Sequence, residues 1–329
     1  MPLADLIENK RLMLITLAVS FLSLVGTALA DSPNVMLILC LMIGMSSVSV
    51  QVLIPLAAHL SSDEKRGQVL GNIMAGLLLG ILLARPISSL IADHFGWRAV
   101  FYFAAGCMVF IAGVIYFAIP SRQPTHKTTY FELLKSLKQL MISQPVLRQR
   151  SLFQALMFAS FSLFWTSVPV VLSREYGLSQ SEIALFALVG AAGAVAAPIV
   201  GRLADKGYTH QVSLLAKVIA AGCFLPSLFE LPYGIVILAI TGVFIDFAVQ
   251  ANMVLGQRAV YAIEPQSRAR LNAIYMTSIF VGGAVGSLIA SPLYEAGGWT
   301  GITLVATGMP LISLIGYLVT TKKQSKVVS

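Results

Sequence analysis

Asp246 is the residue of this sequence that most plainly calls for chemistry. It stands near the middle of an apolar stretch, 233–256. An ionised aspartate at the centre of a bilayer costs roughly 2.5–3.5 kcal/mol on insertion scales. It must therefore face a bundle interior or a wet cavity, where it can bind a proton or a cation, or tie two helices together by a hydrogen bond or ion pair. Asn252 follows six residues later, so the two do not share a tight helical face. Arg85 lies near the end of the stretch 67–91, from which its long side chain can snorkel. Lys217, a turn and a half into 212–229, can reach the interface in the same way.

A second group of residues occurs twice. Pro2-Leu3-Ala4-Asp5 is matched by Gly201-Arg202-Leu203-Ala204-Asp205. Gly76, Gly80 and Pro86 have the spacing of Gly282, Gly286 and Pro292, and Gly96-Trp97 is matched by Gly298-Trp299. Landmarks repeated about 200 residues apart mark two copies of one unit. The second copy has its own residues from Ser151 up to the acidic motif, whereas the first has only four before Asp5. The spacing thus predicts that about 50 residues of the first copy, room for two membrane helices of ~20 each, are absent.

Each repeated residue type has a physical use. Asp205 is expected just after a helix ending at position 200, and Asp5 in the equivalent place, each free to cap a neighbouring helix and pair with basic residues. The small residues beside the acid, Gly201 and Ala204, allow backbones to approach closely. Such contacts can latch one conformation. Gly76 with Gly80, and Gly282 with Gly286, are four apart on one helix face and permit close helix packing. Pro86 and Pro292 bend the helices beyond them.

The elements that position these residues are long and apolar. The sequence is 57% hydrophobic and 11% charged, against about 25% charged in soluble domains. Ten segments, 12–30, 35–58, 67–91, 98–119, 151–173, 181–200, 212–229, 233–256, 271–293 and 300–320, reach or approach the ~20 residues that cross a bilayer as a helix. None shows the sustained alternation of a membrane β-strand. The chain reads as an all-α polytopic membrane protein. Lys10 and Arg11 open a run, 12–30, too long for the apolar region of a cleaved signal peptide.

Charge sets the topology. The formal net charge is +8, yet of the 22 Lys and Arg residues only Arg85, Arg98, Arg174 and Lys217 lie off the side that holds both termini. This bias puts both termini in the cytoplasm. It marks orientation and argues against a nucleic-acid partner; the implied partner is the lipid bilayer. Cys40, Cys107 and Cys223 lack metal-ligand spacing and read as small buried side chains.

The organisation follows: an incomplete four-helix bundle over 1–119, a basic central loop over 120–150, a six-helix bundle over 151–321 and a tail over 322–329. Within the loop, Leu133, Leu134, Leu137, Leu140 and Met141 recur at helical spacing, predicting an amphipathic helix on the interface. There is no Gly-rich nucleotide cradle, paired His-Glu motif or nucleophile elbow. No cofactor, metal site or enzymatic function is expected.

The doubled acidic motif resembles that of the major facilitator superfamily, where it joins the second and third helices of each six-helix unit. The stretch Gly76-x-x-x-Gly80-Ile81-Leu82-Leu83-Ala84-Arg85-Pro86, with Gly96-Trp97-Arg98 and Phe101, is similar to the fifth and sixth helices of its antiporter branch. The ten segments would match family helices three to twelve. The pattern departs from the family at Glu8 and Asn9, which precede Lys10 and Arg11, and at Cys40, four residues before Gly44, where antiporters often carry Arg. The resemblance implies two bundles with substrate bound near the midplane. It makes Asp246, Gln51, Gln250, Asn252 and Arg85 candidates for substrate or protons, and Asp5, Lys10, Arg11, Gly201 and Asp205 candidates for the conformational switch. The expected function is efflux of small organic solutes or drugs by alternating access, coupled to protons, in a bacterial inner membrane. The competing expectation is a truncated membrane remnant or scaffold that does not transport.

Overall fold

A computed structural model describes residues 8–47, 56, 66–121, 130–190, 196–229, 233–264 and 267–328. Asp5 and Gln51 lie outside these residues, as does the side chain of Arg85. The described chain is helical throughout. In order, the helices are α1 (Asn9–Leu29), α2 (Pro33–Ser46), α3 (Arg66–Phe95), α4 (Trp97–Ala118), α5 (Tyr130–Ser143), α6 (Pro145–Arg174), α7 (Gln180–Ala187), α8 (Ala196–Asp205), α9 (Thr209–Gly222), α10 (Gly234–Tyr261) and α11 (Arg268–Val328). Where the ten apolar segments fall within the described residues they are mainly helical, with breaks inside 181–200 and 212–229. Six stretches among the described residues are long and apolar enough to cross a membrane. The chain forms two compact units, 1–135 and 136–329.

The repeated Gly-Trp landmark has one backbone shape in both copies. Gly96 caps the start of α4 with φ 82° and ψ 161°. Gly298 breaks α11 into two arms with φ 57° and ψ −152°. This region of backbone space is essentially closed to residues with a Cβ. Each glycine therefore reverses the chain between two apolar helices.

In the first unit, α1 packs on α4 and α2. Leu12, Met13, Leu17, Leu56 and Ile115 form its core. Ser20 and Ser46 share a hydrogen bond of 2.6 Å. Arg98 ties the end of α1: its Nε donates to the Ala28 carbonyl at 3.1 Å, and its Nη2 reaches Asp31 at 3.1 Å. A helix C-terminus leaves carbonyls unsatisfied and negative, and the guanidinium answers both. Cys40, expected to be buried, is exposed on α2. Because α2 is apolar on nearly all sides, composition could not tell its outer face from its inner one.

In the second unit α6 is the hub. The first arm of α11 meets it through Gly282 and Gly286, where an added Cβ would collide with the backbone carbonyls of Ala155 and Ala159. The second arm is pinned by Ser160, which donates to the Ala306 carbonyl at 2.6 Å, and by Ser313, which donates to the Phe153 carbonyl at 3.2 Å. Without a hydrophobic drive between helices in lipid, small residues and hydroxyl bonds supply this adhesion. Gly76 and Gly80 on α3 are exposed, with no described atom within 4 Å of a Cβ added there. The end of α5 does not lie free: Leu140 is buried beside Leu147, Leu271 and Tyr275.

Two further expectations change. The segment 181–200 is not one unbroken helix: α7 ends at Ala187, a tight turn of 3-10 helix covers 188–190, and α8 begins at Ala196. In addition, α8 runs on past position 200 to Asp205 itself. The reversal comes after the acid, at Gly207 with φ 89°, because the left-handed backbone needs glycine.

Candidate functional site

Two polar clusters sit on α10, both facing α6. Asp246 is buried, 8% exposed, and accepts a hydrogen bond of 2.7 Å from Trp165 Nε1. A buried indole N–H needs an acceptor, and a buried carboxylate needs a donor, so each resolves the other's desolvation. Trp165 belongs to an aromatic wall along α6. Phe164 meets it edge-on at 5.3 Å, Phe186 of α7 at 6.2 Å, and Phe161 lies at 6.5 Å with Phe158 stacked on it at 5.1 Å. Gly190 closes over the pair: a Cβ there would stand 2.7 Å from Asp246 Oδ2 and 2.9 Å from the Trp165 ring. Further along the same face of α6, Ser162 and Thr166 bond Ser287 of α11 at 2.9 and 3.0 Å. Aromatic faces beside a carboxylate suit an organic molecule with a cationic or hydrogen-bonding group.

The second cluster lies further along α10, between α6 and α9. Lys217 of α9 is 0% exposed, and its amine donates to Asn252 Oδ1 and, at 3.4 Å, to the Ser213 carbonyl. Asn252 Nδ2 donates to Gln154 Oε1 at 2.5 Å, and Gln154 Nε2 donates to the Val249 carbonyl at 3.2 Å. The reading of Lys217 as a side chain that snorkels to the interface is thus corrected. Its stem does point back toward the start of α9, as helical side chains do, but α6, α10 and α11 cover it. The relay joins α9, α10 and α6 by side-chain bonds alone.

The remaining candidates are placed as follows. Gln250 is half-buried on α10. Asp205 pairs with Arg258 of α10, with 69% and 51% of the two side chains exposed. The acidic motif thus clips the end of α8 to the end of α10 within the second unit. Gly201 is helical with open space around it, and Ala204 is buried against α9 and α10. Lys10 lies 5.0 Å from the Tyr116 ring centroid, and Arg11 lines a shallow cleft with Glu8, Leu14 and Ser121. Pro86 and Pro292 lie inside α3 and α11. Among the described residues no group of three or more His, Cys, Asp or Glu could hold a metal.

Sequence reasoning missed Trp165, Gly190 and Gln154. An indole N–H inside an apolar run is itself a request for an acceptor, so Trp165 with Asp246 could have been paired on chemistry. Gly190 carried no such signal.

Comparison with known proteins agrees with this architecture. A solved structure of the human organic anion transporter MFSD10 (TETRAN) superposes with a TM-score of 0.69 at 17% identity, covering 96% of this chain and 78% of that one. A bacterial homolog of the human lysosomal transporter Spinster gives 0.67 at 16% identity, with 96% and 82% covered. The uncharacterized transporter YgaY of Escherichia coli O157:H7 is 38% identical over 316 residues, 95% of this chain and 80% of the relative. The uncharacterized MFS-type transporter YceJ of Bacillus subtilis is 25% identical over 323 residues, with 92% and 78% covered. The family model described as Major Facilitator Superfamily matches residues 1–206 and 150–329. With the helical fold, the doubled motifs and these likenesses together, the chain is a multi-pass membrane transporter that belongs to the Major Facilitator Superfamily.

Proposed function

We propose that this transporter exports small organic solutes of hydrophobic, aromatic-binding character, exchanging them for protons at Asp246. The observation that carries the reading is the buried carboxylate on α10, held by Trp165 in an aromatic wall. A carboxylate in such surroundings is a functional group by default. Its charge can be neutralised either by a proton or by a cationic substrate, and competition between the two is the simplest basis of antiport. Alternating access then follows if proton binding and substrate binding favour different conformations. The exposed Asp205–Arg258 pair stabilises one of them by a small amount, as a switch contact must if it is to break in every cycle. The basic bias of the loops supports both termini in the cytoplasm, and the bacterial relatives support an inner-membrane location.

The test is efflux of fluorescent hydrophobic cations from cells expressing the chain. Wild type is expected to lower dye accumulation, and Asp246→Asn to abolish the effect while inserting normally. Undiminished, pH-sensitive efflux by Asp246→Asn would remove the carboxylate from the mechanism.

A further inference from the structure

A third feature of the second unit lies at one end of its helices and shares only Lys217 with the clusters on α10. The Tyr317 ring, on the second arm of α11, gathers three basic side chains. The His210 ring stacks on it at 5.4 Å and 26°, with Nδ1 3.0 Å from the Tyr317 hydroxyl. The Arg150 guanidinium lies 5.3 Å from the ring centroid, and the Lys217 amine 4.6 Å. Cations are drawn to an aromatic face by its quadrupole, yet they repel each other. The ion pairs among the described residues are Arg98–Asp31 and Arg258–Asp205, so no described carboxylate offsets this group. Among the described residues Arg150 has one hydrogen bond, a long one of 3.4 Å to Ser213 Oγ. A guanidinium offers five N–H donors, so most of its capacity is unspent.

The place of the cluster says what would use that capacity. Arg150 is five residues into α6, His210 is the second residue of α9, and Tyr317 is four residues before Thr321, where the apolar span ends. At 1.5 Å per residue all three lie within about 8 Å of one end of the bundle, the depth of lipid headgroups. Deeper along the same two helices, Leu215, Val218, Ile312 and Ile315 are exposed, and apolar side chains on membrane helices are covered by acyl chains. The site is therefore cationic where phosphate sits and apolar where acyl chains run. Basic pockets between membrane helices recognise anionic headgroups in this way.

We propose that Arg150 and His210, backed by Tyr317 and Lys217, bind the phosphate of an anionic phospholipid whose acyl chains follow the outer faces of α9 and α11. The bound lipid balances the charge of the cluster and fastens α6, α9 and α11 together at that end. The site is separate from Asp246 and stands whatever the substrate.

The experiment is native mass spectrometry of the purified full chain in detergent, offered phosphatidylglycerol and phosphatidylcholine at equal concentration. Wild type is expected to prefer phosphatidylglycerol by about tenfold or more, losing about fivefold in Arg150→Gln, which removes a charge, and a smaller part in His210→Gln, which removes a hydrogen-bonding ring. Arg150→Lys keeps the charge and the preference, and Arg270→Gln, at the same end but outside the cluster, leaves it unchanged. Equal binding of both lipids by wild type would overturn the proposal, as would an equal loss in Arg270→Gln. Displacement of the lipid by millimolar inorganic phosphate would overturn it too, by showing a site for the free anion. If His210→Gln does not fold, Arg150→Gln alone decides on the same readout.

Discussion

Replacing Asn252 by Ala strikes the one residue that both accepts from a buried amine and donates to a buried amide. Wild-type Asn252 accepts from Lys217 and donates to Gln154 Oε1 at 2.5 Å. Alanine leaves Lys217 with the Ser213 carbonyl at 3.4 Å and leaves Gln154 Oε1 without its donor. Interhelical hydrogen bonds in membrane bundles average about 0.6 kcal/mol, which sets the loss at Gln154. Leaving a buried donor unsatisfied costs about 1–3 kcal/mol, which sets the loss at Lys217. Together the substitution should cost about 2–4 kcal/mol. Lys217→Met, which removes the amine but keeps the stem, should make the loss at Asn252 much smaller, because a buried donor without a partner is worse than none. Thermal unfolding of the purified protein, wild type, both single variants and the double, gives the coupling energy directly. A coupling of more than about 1 kcal/mol is expected for residues sharing a hydrogen-bond network. Additive effects within about 0.3 kcal/mol would refute the relay as an energetic unit.

Three other outcomes can be checked by unfolding or transport assays. Gly282→Val and Gly286→Val should destabilise far more than the same change at an exposed helical position, since each drives a side chain into the α6 backbone; thermal unfolding measures this. Gly298→Ala and Gly96→Ala should each cost about 1–3 kcal/mol from backbone strain alone, because open space surrounds both positions. Asp205→Asn should change stability by less than about 1 kcal/mol, as expected of an exposed pair. If the pair acts as a switch, its effect will appear in transport rate instead.

The helices and the repeat were legible because they rest on composition and spacing. Apolar runs longer than a core helix announce themselves, and the match of Gly96-Trp97 with Gly298-Trp299 stands in the sequence alone. What could not be read was which faces meet. In a helix apolar on all sides, period gives no inner face, so Cys40 was assigned to the interior and proved exposed. Lys217 was read as snorkelling because its distance from the helix end permits that; only the placement of α6, α10 and α11 shows that it is covered. Asp246 is legible from its chemistry, and so is Trp165, since a buried carboxylate calls for a donor and a buried indole N–H for an acceptor. Gly190 became visible only as the place where a side chain has no room. The apolar run ends at position 200, short of Asp205, because apolarity marks the membrane stretch and not the helix, which continues to Asp205 and turns at Gly207.

Asp246 is proposed to couple protons to the movement of an organic substrate. The most direct measurement uses proteoliposomes holding this chain under an imposed pH gradient, with uptake of a fluorescent hydrophobic cation followed alongside internal pH. The account predicts that dye movement dissipates the gradient in wild type, that Asp246→Asn removes both signals, and that Trp165→Phe, lacking the indole donor, shifts the pH dependence of transport. Dye movement in Asp246→Asn that still dissipates the gradient would contradict it.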